Sequence, residues 1–337
     1  MLASEKARSA NIYDVAKLAG VSHQTVSRVL NNHASIKPAT RAKVEAAAAE
    51  LNYRPSMAAR TLVTNRSKML GLLVGDTSLY GPAGWLHAVE RHARLAGYYA
   101  ITVALKNEDP DSWADAIEHL RRIGVEGLVC IAIKKGAVEL AAAAYPNTPI
   151  VGVDTEEVAG VTTVGIDNEA GARMATGHLI ELGHKNILHI SGPADSIEAN
   201  ARLDGYNQAI TEHGLKSHVL QGDWSAETGF KLGVDLNLNI DKISAIFTAN
   251  DHLALGLMKA LRLKSIAVPD QVSIVGFDDI PESPYFDPPL TTMVQEFNRL
   301  GETAVELLIY KINGLKPSKT SGMLPKLVVR ESTKRLK

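Results

Sequence analysis

The chain has 337 residues, of which 45% are hydrophobic and 22% charged, with one cysteine and a formal net charge of −1 at pH 7. This length predicts two or three domains, and the single Cys130 excludes an internal disulfide framework. Neither the first residues nor any later stretch has the apolar run of a leader peptide or a membrane-spanning helix, so we expect a cytoplasmic protein.

The charge is unevenly distributed along the chain. Residues 1–62 contain nine Lys and Arg against four Asp and Glu, a net charge of +5, so the remaining residues carry −6. A small basic head on an acidic body suggests that the head binds a polyanion. A solvated charged surface would give the same count, so charge alone does not decide the function.

The stretch NIYDVAKLAGVSHQTVSRVLNN, residues 11–32, predicts two short helices joined by a tight turn. Asn11 and Asp14 have the spacing of a capping box, Gly20 can end the first helix with a positive φ, and Ser22 can cap the second. The predicted apolar faces are Val15, Leu18 and Ala19 on the first helix and Val26, Val29 and Leu30 on the second. Two helices around a glycine turn at this spacing indicate a helix-turn-helix.

The polar side of the second helix has chemistry that suits double-stranded DNA. In a helix-turn-helix, the N-terminal residues of the second helix face base edges in the major groove. Gln24 can form a bidentate contact with adenine, and Arg28 can form one with guanine. Short hydroxyls suit phosphates or base edges, and here they are Ser22, Thr25 and Ser27. An ordinary amphipathic helix with a solvated polar side is the alternative.

A third helix and a short fourth one are predicted next. Pro38 can open the third helix, which runs to about Leu51 and closes a three-helix core. The following stretch YRPSMAARTLVTNR predicts a helix from Ser56 to about Leu62. So short a helix is marginal in water, and we expect it to fold only when a partner or a second copy supports it.

The rest of the chain alternates strand-like apolar runs with helical stretches, which predicts an α/β body of doubly wound parallel sheets. The strand-like runs are MLGLLV, YAITVAL, GLVCIAI, PIVGVD, TTVGI, NILHI, AIFTA and VSIVGF. The predicted helices are Gly84–Ala96, Ser112–Arg122, Asn168–Leu182, Ala201–Glu212, Ala226–Leu236 and His252–Leu263. So many strands predict two similar lobes, which separate near residues 165–168.

Polar side chains follow several of these runs directly, and open α/β sheets bind ligands beyond the carboxyl ends of their strands. An arginine also opens a helix after the loop ISGPADSIEAN, and a tryptophan stands in GDWSA. Carboxylate, guanidinium and amide groups can bind sugar hydroxyls, and an indole can cover the apolar face of a pyranose ring. The candidates are Asp154, Arg202, Trp224, Asn250, Asp278 and Gln295, with Tyr80 in SLYGPAG on the first-lobe side. Each has a structural alternative, such as a helix cap or core packing.

Signatures of enzymes and metal sites are missing from the sequence. It has no nucleophile elbow, phosphate loop or dinucleotide-binding glycine pattern. His178, His184 and His189 do not share a helix at ligand spacing, so we expect structural roles for them. We therefore expect neither an enzyme nor a resident cofactor.

Motifs in the same order along nearly the whole chain resemble the lactose/galactose-repressor (LacI-type) family. The matching stretches are IYDVAKLAGVSHQTVSRVLNN, YRPSMAARTL, VDTEEVAGVTTVGIDNEAGARMATGHLIELGHKNI, GDWSAETGF, AIFTANDHLALGLMKAL and DQVSIVGFDDIPESPYFDPPLTTMVQ. The resemblance implies a homodimeric repressor that binds a palindromic operator and is released by a small-molecule inducer. It also implies a helix-turn-helix domain at 1–54, a hinge helix and linker at 55–68, a first lobe at 69–166 with 298–325, and a second at 167–297 with 326–337.

The resemblance also assigns roles to individual residues. It places His23, Gln24 and Arg28 at base-reading positions and makes Leu62 the wedge that opens the central operator step from the minor groove. The other expected DNA contacts are Tyr13, Ser22, Thr25, Ser27, Asn31, Ser56, Ala59 and Arg60. Met57 departs from the family, which often has a basic or amide residue at that position.

The same resemblance limits the chemical class of the effector but does not identify the effector. GDWSA is similar to the galactoside-responsive branch, so a β-galactoside or a related sugar is the expected inducer. Arginine and aspartate at positions 202 and 278 also occur in purine-responsive relatives, which keeps a purine co-repressor as an alternative, and a protein co-regulator is another. An exported sugar-binding protein would share the two-lobed fold, but the basic head argues against it. No leucine heptads follow the core, so we expect a dimer rather than a tetramer.

Overall fold

A computed structural model describes residues 10–30, 35–53, 66–105, 109–132, 134–239, 242–315 and 322–336. The chain divides into two compact units, residues 1–68 and residues 69–337. The first unit is helical, and the second contains two β-sheets with helices around them.

The first unit is built from the helices Ile12–Ala19 (α1), His23–Leu30 (α2) and Pro38–Glu50 (α3). The predicted capping box is confirmed, because the Asn11 side chain accepts from the backbone of Asp14 while the Asp14 carboxylate accepts from the backbone of Asn11. Gly20 ends α1 at a φ of 66°, a conformation that glycine adopts without steric cost.

The three helices pack on one apolar core, whose fully or nearly fully buried residues include Val15, Val26, Val29 and Val44. The prediction for Leu18 is wrong, because its side chain is 46% exposed and Ala16 is buried instead. The reason is geometric: α1 turns by about 100° per residue, so the core residues Ile12, Val15, Ala16 and Ala19 share an arc of about 100°, and Leu18 lies about 60° outside it, on the far side of Val15.

A parallel five-stranded sheet opens the second unit, and its strand order is β2-β1-β3-β4-β5. The strands are Met69–Val74 (β1), Tyr99–Ala104 (β2), Gly127–Ile131 (β3), Ile150–Val153 (β4) and Thr162–Val164 (β5). The helices between them are Tyr80–Leu95 (α4), Pro110–Ile123 (α5) and Lys135–Ala144 (α6). Apolar clusters cover both faces of the sheet, which explains the uninterrupted apolar runs of its central strands. We call this sheet with its helices the first lobe.

The second sheet has six strands in the order β11-β10-β9-β8-β6-β7, and only the β10–β11 pair is antiparallel. The strands are Ile187–Ser191 (β6), His218–Gln221 (β7), Ala245–Thr248 (β8), Ser273–Asp278 (β9), Thr291–Val294 (β10) and Lys326–Val328 (β11). Its helices are Asn168–Glu181 (α7), Ile197–Glu212 (α8), Ala226–Asp235 (α9) and Asp251–Leu263 (α10). We call it, with these helices, the second lobe. The predicted fold class is confirmed.

The chain passes between the two lobes three times. The first crossover, residues 165–167, pairs with the third, residues 322–325: Asp167 donates to the carbonyl of Met323, and Met323 donates to that of Gly165, both at 2.9 Å. After the second crossover, the helix Phe297–Ile312 (α11) packs against α4 in the first lobe.

The apolar runs and helical stretches of the sequence do not include α6 and β7. Strand β7 is at the edge of its sheet and alternates between half-buried and exposed residues, so it has no continuous apolar run. Helix α6 begins after Lys134 without a side-chain cap, so it lacks a start signal. Within the described ranges, no helix is long and apolar enough to cross a membrane.

Candidate functional site

The three predicted base-reading side chains are on the exposed side of α2. His23, Gln24 and Arg28 are exposed, whereas Val26 and Val29 on the opposite side are buried in the core of the first unit. The apolar side therefore packs the helix against its unit, and the polar side is exposed, as a helix that enters a groove of DNA requires.

A cap and a ring contact shape the start of α2. The Ser22 hydroxyl accepts from the backbone N–H of Thr25 at 3.2 Å and caps the helix as expected. The ring of His23 is 5.1 Å from that of Tyr13, which is 64% exposed. Thr25 and Ser27 are half-buried. Tyr13 thus extends the surface that the polar side of α2 presents.

Five predicted DNA-contacting residues lie outside the described residues, together with the predicted hinge helix. They are Asn31, Ser56, Ala59, Arg60 and Leu62. Their roles, including that of Leu62 as a minor-groove wedge, stay predictions.

Arg202 on α8 is at the centre of a buried polar cluster in the second lobe, with 4% of the residue exposed. Its Nε donates to Oδ1 of Asn168 at 2.9 Å. Its Nη1 donates to the carbonyl of Ala249 and is 3.5 Å from Oδ1 of Asp278. The guanidinium also lies 3.8 Å from the ring centroid of Phe277. These partners are what a buried charge requires, since an unpaired one would be strongly destabilising.

Asp278 and Gln295 are at the carboxyl ends of the neighbouring strands β9 and β10, and their side chains meet. Gln295 Nε2 donates to Asp278 Oδ1 at 2.6 Å, and both residues are buried. Burial raises the pKa of Asp278, while Arg202 acts to lower it. The backbone of Asp278 has a φ of 117° and that of Asp279 a φ of 52°, so two successive non-glycine residues are in a conformation that strains them.

The carboxylate of Asp251, absent from the sequence-derived candidates, holds this strained turn. It accepts hydrogen bonds from the backbone N–H of Ile280 at 3.0 Å and from the hydroxyls of Ser283 at 2.5 Å and Thr292 at 2.6 Å. It is fully buried, and this burial raises its pKa to about 7. Its place directly after Asn250 at the end of a strand run is the signal that could have identified it.

Asn250 and Trp224 are linked by a hydrogen bond. Asn250 Nδ2 donates to the carbonyl of Trp224 at 3.0 Å, while Oδ1 accepts from the backbone of Leu253 and caps α10. The half-buried indole of Trp224 rests against Gly192, where a Cβ atom would come within 2.6 Å of the ring. The guanidinium of Arg202 is 5.4 Å from the centroid of the same indole.

Tyr80, the predicted residue on the first-lobe side, begins α4. Its ring is 5.4 Å from that of Phe297 and also packs against the apolar core of the second lobe. Burial, with a further contribution from the carboxylate of Asp278, raises the pKa of Tyr80 to about 12, so its hydroxyl keeps its proton. Phe297, two residues after Gln295, is a border residue that the sequence-derived set omits.

Asp154 lies at the end of β4, beside a cavity of about 350 Å³. Its Oδ1 accepts from the backbone N–H of Ile166 at 3.0 Å. Burial and, next, the carboxylate of Glu198 on α8 raise its pKa to about 7, and Ile166 and Arg202 act in the opposite direction. Asn168 and Glu198 also line this cavity. None of the other six predicted effector residues lines it, and hydrogen bonds through Ile166 and Asn168 link Asp154 to Arg202.

The structure thus brings five of the seven predicted effector residues into one group, which we call the Arg202 cluster: Arg202, Asp278, Gln295, Asn250 and Trp224. Tyr80 borders it, and Asp154 lies in the adjoining cavity. A guanidinium, a carboxylate and two amides beside an indole can bind a small molecule that has both hydroxyl groups and an apolar face.

The three histidines considered as metal ligands have structural partners instead. A ring nitrogen of His178 contacts the hydroxyl of Thr333, and one of His189 contacts the carbonyl of Phe247. The ring nitrogens of His184 contact the hydroxyls of Ser244 and Ser273 and the carbonyl of Lys334. All of these distances are 3.1 Å or less. In the part of the chain that the structure describes, no three His, Cys, Asp or Glu residues are placed to hold a metal ion.

Known proteins resemble this chain over nearly its full length. Residues 11–56 match the bacterial regulatory proteins of the lacI family, and residues 176–333 match a periplasmic binding protein-like domain. The lactose operon repressor of Escherichia coli (strain K12) is 33% identical over 325 residues, which cover 96% of this chain and 90% of that protein. The HTH-type transcriptional repressor PurR of Photobacterium profundum is 35% identical over 336 residues, 97% of this chain and 99% of that one.

Solved structures also resemble this chain over nearly its full length. The Lac repressor dimer bound to operator and the anti-inducer ONPF has a TM-score of 0.89 at 32% identity, covering 97% of this chain and all of that one. The complex of the transcriptional regulator CelR with cellobiose has a TM-score of 0.69 at 28% identity, covering 96% and 99%.

Proposed function

The chain belongs to the lacI family of bacterial regulatory proteins, and from this premise we propose that a small sugar bound in its body controls its binding to operator DNA. It is a DNA-binding transcriptional repressor with an effector-binding domain, and not an enzyme. We further propose that it acts as a homodimer on a palindromic operator in the cytoplasm. The Lac repressor dimer bound to operator supports this assembly.

The observation that carries the sugar proposal is the Arg202 cluster. A carboxylate accepts hydrogen bonds from hydroxyls, a guanidinium donates to them, and amides do both, so the cluster matches a ligand with several neighbouring hydroxyl groups. The indole of Trp224 supplies an apolar surface of the size of a pyranose ring. A β-galactoside is our specific candidate, with Tyr80 and Asp154 bordering its site.

DNA contacts and domain limits complete the proposal. The operator-contacting residues that we propose are Tyr13, Ser22, His23, Gln24, Thr25, Ser27, Arg28, Asn31, Ser56, Ala59, Arg60 and Leu62. We keep the four predicted segments, and the packing of α11 on α4 and the pairing of β11 with β10 support their lobe boundaries.

The proposed mechanism is a shift between two states of the repressor. One state pairs the hinge segments of two copies and binds both operator half-sites, and the other state binds the sugar more tightly. The sugar releases the DNA only to the extent that it prefers the second state, because a ligand with equal affinity for both shifts nothing.

Arg202→Ala tests this function directly. Charged hydrogen bonds of this kind contribute about 1.5–3 kcal/mol each, so we expect the variant to keep its operator affinity and to lose its response to the sugar. The assay is fluorescence anisotropy on operator DNA selected from a random pool, with and without methyl β-D-galactopyranoside. Arg173→Ala, an exposed arginine of the same lobe that pairs with Glu212, is the matched control and should respond normally. A normal response of Arg202→Ala would contradict the assignment.

A purine co-repressor is the second candidate. The aromatic rings of Tyr80 and Phe297 beside the Arg202 cluster could stack on a planar base, and the PurR relatives are as similar to the chain as the lactose operon repressor is. A thermal-shift screen with methyl β-D-galactopyranoside and hypoxanthine separates the two, because each proposal expects stabilisation by one probe and not by the other.

A further inference from the structure

Asn168, which belongs to none of the predicted sets, contacts two different parts of the body. It is the first residue of α7 and only 6% of it is exposed. Its Oδ1 accepts from Nε of Arg202 at 2.9 Å. Its backbone N–H at 2.9 Å and its Nδ2 at 3.4 Å both point to the carbonyl of Ile166, in the first crossover. One amide side chain therefore touches both the proposed effector-binding guanidinium and the segment that joins the lobes.

The first crossover is also hydrogen-bonded to the first lobe. The backbone N–H of Ile166 donates to Asp154 at the end of β4, and the next residue, Asp167, donates to Met323 in the third crossover. A hydrogen-bonded path therefore runs from Asp154 through Ile166 and Asn168 to Arg202.

We propose that Asn168 is a positioning residue that fixes the plane of the Arg202 guanidinium to the first crossover and, through it, to the first lobe. The inference rests on the proposed function, in which Arg202 binds the effector. It explains how a change at Arg202 reaches the first crossover.

Geometry favours Asn168 over the other partners of Arg202 in this role. Its bond to Nε is short, whereas Asp278 Oδ1 is 3.5 Å from Nη1, at the limit of a hydrogen bond. The contacts to Ala249 and Asp278 both involve Nη1, at one corner of the guanidinium. A planar fork held at one corner can pivot, and a second bond at Nε stops that pivot.

Two variants separate positioning from a merely structural role. Asn168→Asp keeps an oxygen where Oδ1 is and loses the Nδ2 donor, but its backbone N–H can still bond the carbonyl of Ile166, whereas Asn168→Ala removes the acceptor for Arg202. Asn200→Ala is the matched control, because Asn200 is exposed on the same helix as Arg202 and its amide donates to the carbonyl of Ala194. If Asn168→Ala does not fold, Asn168→Leu, whose side chain has the same branching without a polar atom, replaces it.

The first readout needs no effector: the Nε–H resonance of Arg202 in full-length protein labelled with 15N-arginine, assigned by its loss in Arg202→Lys. We expect wild type, Asn168→Asp and Asn200→Ala to show this proton protected from exchange with water. In Asn168→Ala the exchange should be about tenfold faster, the equivalent of about 1.4 kcal/mol, which matches one lost hydrogen bond. An unchanged exchange rate in Asn168→Ala would overturn the proposal, as would an equal change in Asn200→Ala.

The second readout is regulation. With methyl β-D-galactopyranoside, Asn168→Ala should bind the sugar about tenfold more weakly and keep its operator affinity without sugar, while Asn168→Asp stays close to wild type. If Asn168→Asp lost as much sugar affinity as Asn168→Ala, this result would contradict the proposal that Asn168 positions Arg202. If wild type binds neither this sugar nor hypoxanthine, the proposed effector class fails, and the Arg202 resonance still decides the role of Asn168.

Discussion

Replacing Asp154 by asparagine should stabilise the second unit above pH 7 and change its stability little near pH 4. The variant keeps an oxygen acceptor for the N–H of Ile166 and loses the charge. The physical cause is burial: the carboxyl lies beside a cavity that it shares with Glu198, and both the burial and that second carboxylate disfavour its ionised form.

The size of the effect follows from the pKa of Asp154, which is raised from 3.8 to about 7 in the folded protein. The folded state therefore binds more protons than the unfolded state between about pH 4 and pH 7, so the free energy of unfolding of wild type falls as pH rises through this window. A shift of about 3 pH units at about 1.4 kcal/mol each sets a ceiling of about 4 kcal/mol. Asp154 is partly exposed, and screening by water reduces the expected gain to about 2 kcal/mol.

Urea unfolding followed by tryptophan fluorescence reports on the unit that contains Asp154, because Trp85, Trp113 and Trp224 all belong to residues 69–337. The difference in free energy of unfolding between Asp154→Asn and wild type should be near zero at pH 4 and grow up to about pH 7. Asp204→Asn, an exposed carboxyl on α8, is the control and should show no such growth. A difference that is the same at every pH, or a variant less stable than wild type at pH 8, would refute the reasoning.

Two further predictions concern DNA reading and the indole. Gln24→Ala and Arg28→Ala should each weaken binding to the operator by about 1–3 kcal/mol more than binding to random DNA in anisotropy titrations; equal losses on both would contradict base reading. Gly192→Ala should displace the Trp224 ring, because the new Cβ atom would be 2.6–2.8 Å from three ring atoms. A displacement of that kind should change the tryptophan emission and weaken sugar binding about tenfold at unchanged operator affinity, and an unaltered emission spectrum would show that the ring is not held there.

Local signals in the sequence were sufficient for the helical head. The capping box at Asn11, the glycine turn at Gly20 and the cap at Ser22 each depend on residues within four positions of one another, and the structure has all three. Leu18 was misplaced for a related reason. Leu18 is next to Val15 on the helix and apolar by type, but it lies outside the arc of α1 that the other two helices cover, and only the packing of the three helices fixes where that arc is.

The site could be predicted only in part, because sequence shows where strands end and not which side chains meet. Strand ends identified Asp278, Gln295 and Asn250, and these do lie in one group. The pairing of Arg202 with Asn168 spans 34 residues and depends on how α7 packs against α8, which no local pattern reports. Asp154 came from the same strand-end rule but belongs to a different sheet, so it borders the adjoining cavity instead.

The contacts of Arg202 also limit what an effector can gain from it. Its Nε and Nη1 already have acceptors in Asn168, Ala249 and Asp278. An effector that binds at Nε, or at the N–H of Nη1 that is already bonded, must therefore exchange one hydrogen bond for another, and such an exchange changes the free energy by far less than a new bond to Nη2 would. A ligand at this cluster regulates DNA binding only through a difference in its affinity for two lobe arrangements. We therefore expect the link through Asn168 to the first crossover to contribute to how strongly the effector acts on DNA binding.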